Sequence, residues 1–499
     1  MMRLLSGILA SLLFLSGISV PVLPEEAAAP VTRMLLIGCD YFVTQPNTAP
    51  VSENNVRTVE AVWSDGSREA PETVRKVNAT GNTDSLRSAV MEAFEESKDG
   101  DVNICYISTH GVLPEDGDPA GMTLLFSDGR QEVNVSPEEL REMLDMAAGR
   151  KILILDACYS GAVIGKGAPG LGNIFDSPEY TVITSSGATE KSWFWSATAD
   201  SGTGVGYFTG ALSLCLNAAD GYPADSDRDG KITQTELKKM LDSIHGVSVA
   251  RIWPEYSDTV VFEYDPEKEG DGTEQSAVIG LRFDNRVPDP SDPTCRFSFT
   301  VNRSARMIYR MIPENDGEWN FEDASFLFDD AEDGGAVGML KPGHKERTLS
   351  PGIPENGNGG YVLLQVIGVA EGGPKLYGTH VICIPADADT VNGQSTGPVT
   401  EILILEKVTA ETGTDFTVRF ATPCAVTVAV VDENGKVVSY PAVDRATRPE
   451  GIRPEGMFLH WDGCDRRGES APPGNYRIRV RVKNSCGEDS FEEFEVIER

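Results

Sequence analysis

Positive charge is scarce in this chain of 499 residues: 43 Lys and Arg stand against 77 Asp and Glu, a formal charge of −34. That balance repels phosphate backbones and anionic headgroups, so nucleic-acid binding is disfavoured. Aromatic residues are sparse too, at 8%. Histidine is rarer still, and His245, His344, His380 and His460 have no ligand-like spacing and read as structural. Long apolar runs are missing beyond Leu4 to Val20, which follows Arg3 and is closed by Pro21, Pro24, Glu25 and Glu26. A basic start, an apolar stretch and the small residues Ala27 to Ala29 read as a secretory signal over 1–29, with an uncleaved anchor as the alternative. The expectation is a secreted or cell-surface protein of bacterial-type export, with no transmembrane span once the signal is removed.

What is present fits folded modules. Hydrophobic residues make up 40% of the chain, and 50 Gly with 30 Pro supply many turns. At roughly 100–200 residues per domain, the length suggests about three domains. Nine cysteines in an exported chain leave at least one unpaired within a monomer. Cys424, Cys464 and Cys486 form one group and Cys295 and Cys383 another, either able to contain a bridge. Cys39, Cys105 and Cys158 sit on or beside apolar runs, where a small buried side chain is the default reading.

From residue 30 to 267, short apolar runs alternate with helical patterns, which implies an α/β domain with a mostly parallel sheet flanked by helices. The runs are Met34 to Ile37, Val102 to Ile107 and Ile152 to Leu155. Leu86, Ala89, Val90, Ala93 and Phe94 form one amphipathic stripe. A second helix opens on a capping box of Ser136 and Glu139 with Pro137 at its first position, carries Leu140, Met143, Leu144 and Ala147 inward, and ends at Gly149. Past a Gly-rich linker the text turns all-β, with one β-sandwich expected over 275–396 and another over 398–499.

Reactive residues follow two of the apolar runs directly. One run leads into Ser108-Thr109-His110-Gly111, the other into Asp156-Ala157-Cys158-Tyr159-Ser160-Gly161. Ligands of open parallel sheets bind beyond the carboxyl ends of the strands, so His110 and Cys158 share an edge if their strands are neighbours. A thiolate attacks carbonyls and an imidazole protonates a leaving amine, a pairing suited to amide cleavage. Gly111 leaves room for a carbonyl to approach backbone N–H donors, as an oxyanion site requires.

These residues resemble a known family. The His-Gly step and the Asp-x-Cys-x-Ser-Gly pattern look like the signatures of caspase-like cysteine peptidases, in particular bacterial metacaspase-like members of the caspase/hemoglobinase fold. Ile183 to Ser186, Glu190 and Gly206 to Thr209 match the same layout, so the resemblance covers roughly residues 32 to 245. It implies Cys158 as nucleophile, His110 as base and acid, and the Gly111 and Cys158 amides as oxyanion donors. It also implies that Asp156 lines the primary specificity pocket and selects Arg or Lys, the alternative being that Asp156 caps its own turn. Asp40 is either a second pocket acid or a solvated loop carboxylate. Ser185 and Ser186 either contact substrate or belong to an ordinary loop.

Residues 225–236 match a twelve-residue EF-hand loop: Asp225, Asp227 and Asp229 at the first, third and fifth positions, Gly230 at the turn, the Lys231 carbonyl, and Glu236 last. A helix from about Phe208 to Ala218 precedes it, and Leu237, Met240, Leu241 and Ile244 form one after it. Structural calcium is the expectation, an Asx-rich turn that binds nothing the alternative, and no organic cofactor is called for. The C-terminal Trp461-Asp462-Gly463, Gly468 and Pro472 to Tyr476 are similar to the immunoglobulin-like module of flagellar hook-capping proteins. Surface attachment is one use of such a module.

The sequence reading is therefore a secreted cysteine endopeptidase that cleaves protein or peptide substrates after Arg or Lys through an acyl-enzyme. The same thioester passed to an amine would make it a transpeptidase. The rival is a catalytically inactive surface adhesin on the same fold. Lys166 and Lys191, both after Cys158, are candidate self-cleavage positions.

Overall fold

The computed structural model describes residues 30–44, 50–168, 171–195, 204–254, 257–266, 276–283, 294–315, 318–328, 339–350, 360–370, 373–384, 399–404, 414–420, 425–446, 457–461, 463–466, 470–484, 487–492 and 497–498. The signal expected over 1–29, Cys424 and Cys486 lie outside them. Among the described residues, no helix is long and apolar enough to cross a membrane.

The first half is built on strands β1 (Thr32–Gly38), β2 (Glu72–Val77), β3 (Val102–Ser108), β4 (His110–Val112), β5 (Thr123–Ser127), β6 (Glu132–Val135), β7 (Arg150–Asp156), β8 (Tyr180–Thr184), β9 (Phe194–Trp195), β10 (Val205–Gly206), β11 (Lys231–Thr233), β12 (Arg251–Trp253) and β13 (Val260–Glu263). Six of these make one sheet in the order β12-β8-β7-β3-β1-β2. All its pairings are parallel except that of the edge strand β12 with β8. The apolar runs at its centre are buried on both faces, as strands covered by helices on each side must be.

Alternation along β1 shows how the two faces divide. Met34 and Leu36 join a core with α1 (Val51–Gly66), α4 (Tyr207–Leu216) and α5 (Gln234–Ile244). Leu35 and Ile37 join a second core with α2 (Thr83–Phe94) and α3 (Pro137–Leu144). The mixed α/β architecture with a mostly parallel sheet agrees with the sequence reading. The capping box at Ser136 is present, with its side chain accepting from the Glu139 amide at 3.2 Å.

The structure adds α1 and β2, which the hydrophobic pattern does not disclose. The buried face of α1 includes Ser52 and Asn55 beside Val56, Val59 and Val62, and β2 reads Glu-Thr-Val-Arg-Lys-Val because it is a polar sheet edge. Two helix ends also fall earlier than expected. The second expected helix stops at Leu144, and Gly149, at φ +77°, turns the chain into β7. The helix expected from Phe208 to Ala218 ends at Leu216, because Asn217 leaves helical geometry and its side chain caps the next turn through the Asp220 amide, 2.9 Å away.

Beyond residue 276 every described element is a strand. β14 (Val278–Phe283), β15 (Cys295–Val301) and β19 (Gly343–Leu349) form one antiparallel sheet. β16 (Arg306–Asn315), β17 (Glu318–Trp319), β18 (Ser325–Phe328), β20 (Gly360–Ala370) and β21 (Gly373–Ile384) form another. Phe297, Phe299, Tyr309 and Leu364 from these strands lie in the same core as α4 and α5. The Gly246 amide donates to Thr379 Oγ1 at 2.7 Å across this junction. Farther on, two antiparallel sheets between Val399 and Glu498 enclose a core around Trp461, whose indole N–H donates to the Cys464 carbonyl at 2.9 Å.

Candidate active site

β3 and β7 are neighbours, with Ser108 registered against Asp156 at their carboxyl ends. His110 follows one strand by two residues and Cys158 the other. Both line a single cleft of about 210 Å³, together with Cys39, Phe42, Ser52, Asn55, Asp156, Ser192, Trp193 and Gly206.

The turn after β7 places the thiol. Tyr159 takes left-handed backbone geometry at φ +61°, costly for a residue with a Cβ, and its amide donates to the Glu190 carbonyl at 2.7 Å. Ser185 Oγ accepts from the Ala157 amide at 3.1 Å, and Ser186 Oγ donates to the Ala157 carbonyl at 3.0 Å. Both serines are fully buried behind the turn, so they brace the nucleophile loop and do not line the cleft.

Cys158 Sγ accepts the Ser192 amide at 3.3 Å and lies 3.5 Å from the Ser192 carbonyl. Burial pushes the thiol above its usual range, while the Ser192 amide pulls it down by favouring the anion. His110 packs its ring 4.4 Å from that of Phe42. Burial lowers its pKa below the usual 6.5, with Glu132 opposing, so the imidazole is neutral at pH 7. Its Nε2 is buried and has no hydrogen-bond partner among the described residues. The resting pair is thus a neutral thiol and a neutral imidazole, with the ring ready to accept a proton.

Asp156 is a buried carboxylate on the cleft wall. Oδ1 accepts from Ser192 Oγ at 2.8 Å, and Oδ2 accepts from Thr209 Oγ1 at 2.6 Å and Asn55 Nδ2 at 3.2 Å. These three partners are all neutral, and burial raises its pKa. A Cβ at Gly206 would stand 2.4 Å from Oδ2, so a side chain there would crowd the carboxylate. Asp40 stands elsewhere: its oxygens accept the Ser52 and Glu53 amides, each at 2.7 Å, at the N-terminus of α1, and it is not among the residues lining the cleft. Helix α1 was invisible in the sequence, and so was this capping role.

Gly111 has a different physical reason from the one its sequence suggested. A Cβ on it would fall 1.8 Å from the Cys158 carbonyl oxygen. The space a side chain would take is filled by the nucleophile's own backbone, which locks the two strand-end turns together. Lys166 does not sit in the open loop that self-cleavage requires. It is buried, its amide donates to the Gly161 carbonyl and its carbonyl accepts from Ala188, each at 2.9 Å, so the folded chain does not offer this bond for self-cleavage. Lys191 is exposed and pairs with Glu318 at 2.7 Å.

Ser192, Asn55 and Phe42 were missed by sequence reasoning, and Thr209 entered it only within the Gly206 to Thr209 stretch, without a role. A signal existed for one of them: Ser192-Trp193-Phe194-Trp195 is an aromatic cluster in an aromatic-poor chain.

In the loop between α4 and β11, ligand atoms of Asp225, Asp227 and Asp229 lie within 4.8 Å of one another. Desolvation first, and after it the neighbouring carboxylates, raise the pKa of Asp227, and the second contribution is a repulsion a cation would relieve. An all-oxygen set of this kind suits a hard cation such as calcium. Glu236 is not in that group. It accepts from Ser226 N and Oγ at 2.9 and 2.8 Å and from Thr233 N and Oγ1 at 3.1 and 2.9 Å, capping α5. Lys231 begins β11, and its amide donates to Asp229 at 2.8 Å.

No family model matches the chain, and no curated protein does. Among solved structures, protein GSU0716 from Geobacter sulfurreducens is 15% identical at a TM-score of 0.30, over 42% of this chain and 88% of that one. Caspase-1 from Spodoptera frugiperda is 12% identical at a TM-score of 0.30, over 50% of this chain and 98% of that one. Likeness at this level decides neither fold family nor activity.

Proposed function

We propose that the protein is an exported cysteine endopeptidase of caspase-like fold that cleaves after Arg or Lys. The observation that carries this reading is the meeting of Cys158, His110 and Asp156 in one cleft beyond adjacent strands. A substrate's cationic side chain would enter toward Asp156, exchanging a buried carboxylate with neutral partners for an ion pair. Cys158 Sγ then attacks the carbonyl carbon while its proton passes to His110, and the Gly111 and Cys158 amides receive the oxyanion. The imidazolium protonates the leaving amine, and water, deprotonated by His110, hydrolyses the thioester.

Calcium at Asp225, Asp227 and Asp229 would brace α5, with Glu236 joining only by turning from its cap. Millimolar calcium is then expected to raise the melting temperature by about 5 °C, reversibly with chelator, and Asp227→Ala with Asp229→Ala to remove the shift. Equal melting with and without the ion, read by calorimetry, would refute the site. The same reading makes the C-terminal sheets a structural immunoglobulin-like module, with surface attachment as one use of it.

A thiol-reactive arginyl ketone tests the activity. Peptide mass mapping is expected to find it on Cys158 of the wild type and absent from His110→Ala. A folded wild type left unlabelled with and without calcium would favour the inactive adhesin.

A further inference from the structure

The loop from Lys191 to Trp195 carries unusual responsibility. Ser192 reaches both Cys158 and Asp156, giving its amide to the first and its hydroxyl to the second, while Trp193 and Phe194 form part of the cleft wall. A loop with these duties must be held from behind. Part of that support comes from the α/β half, where Tyr207 donates its amide to the Trp193 carbonyl at 2.9 Å and β9 pairs with β10.

The remaining support comes from the sheet that follows in sequence. The rings of Trp193 and Phe321 are 5.3 Å apart. Phe321 is itself fixed, for Arg310 lies 5.6 Å over its ring and donates to its carbonyl at 3.0 Å. Trp319, on β17, donates its indole N–H to the Val247 carbonyl at 3.1 Å. Trp193, Trp195, Trp319 and Phe321 all pack on one cluster that joins Tyr207 to Ile312, Tyr361 and Leu363. The Lys191–Glu318 ion pair is solvent-exposed and adds little, so the aromatic contacts are the effective brace.

We propose that Trp319 and Phe321 are positioning residues of the candidate active site, holding the Ser192 loop against Cys158 and Asp156 from the neighbouring β sheet. The kinetic part of this rests on the peptidase reading; the structural part does not. Without the Phe321 ring, the loop loses its outer support and Ser192 withdraws from both partners. The pocket then binds a basic side chain less well, and the thiolate loses an amide donor.

Two measurements on the full-length chain decide it. The first is the pH dependence of Cys158 alkylation by iodoacetamide, which needs no peptidase activity. Its midpoint is expected to rise by about half a pH unit in Phe321→Ala, since a hydrogen bond to the anion is lost. Asp156, Lys191, Tyr159 and His110, the charged and titratable groups around the thiol, are unchanged in this variant. The second is hydrolysis of an arginyl peptide, where KM is expected to rise about tenfold with kcat changed less than threefold. Phe321→Tyr should restore both, and Glu318→Gln should leave both at wild-type values. Should Phe321→Ala fail to fold, Trp319→Phe keeps the apolar body and removes only the bond to Val247, with a smaller shift of the same sign expected. A folded variant with the wild-type alkylation midpoint and KM would overturn the proposal. A wild type that cleaves nothing would overturn the peptidase reading, and the alkylation midpoint would still decide the brace.

Discussion

Cys158→Ala is expected to lower kcat/KM on arginyl and lysyl peptides by about four orders of magnitude or more, with the circular dichroism spectrum unchanged. His110→Ala should fall nearly as far, and the double variant little farther, because nucleophile and base act in one step. The pH profile carries a finer expectation. Burial depresses the His110 pKa, so the base is already neutral at pH 7 and the acid limb of kcat/KM should lie below pH 6.5. The thiol is pushed upward by burial and stays protonated through neutrality, so proton transfer to His110 is part of the attack. Full activity in Cys158→Ala, or an acid limb above 7, would sink this account.

Asp156→Asn is expected to lower kcat/KM for arginyl substrates by about 10²- to 10³-fold, the scale of leaving one partner of a desolvated pair alone. Neutral residues before the scissile bond should be affected much less. The stability effect runs the other way. The folded state raises the Asp156 pKa, so it holds that proton more tightly than the unfolded chain does. This contribution to stability is fully present below the unfolded pKa and is lost as pH rises through the folded one; at neutral pH the buried charge is a burden. Asparagine removes the charge, and the hydroxyls of Ser192 and Thr209 can reverse as donors or acceptors to meet an amide. The variant should therefore melt no lower than wild type at pH 7 while losing its preference for basic side chains. Parallel calorimetry and paired arginyl and neutral substrates would check both halves; retained discrimination would remove Asp156 from the pocket.

How legible the chain was depended on burial. β1, β3 and β7 are covered on both faces and are written as unbroken apolar runs, and the reactive residues directly follow two of them. α2 and α3 carry clear stripes, and α3 a visible cap. α1 was hidden because its inner face holds Ser52 and Asn55, which serve the cleft: Asn55 reaches Asp156, and Ser52 pairs with Ser108. One omission led to another, since Asp40 reads as a loose carboxylate only when the helix it caps is unseen. Ser192 was hidden for a different reason. Its partners are 34 and 36 residues away, a distance closed by sheet geometry that no local pattern records.

The floor beneath α4 and α5 is made jointly by the α/β sheet and the strands that follow it. Apolar surface shared in this way couples the free energies of the α/β domain and of the two sheets between Val278 and Ile384, so these are expected to unfold together, while the core around Trp461 is separate. The change of composition near residue 267 is then a change of texture in the chain, and not a hinge about which one half can be lifted from the other.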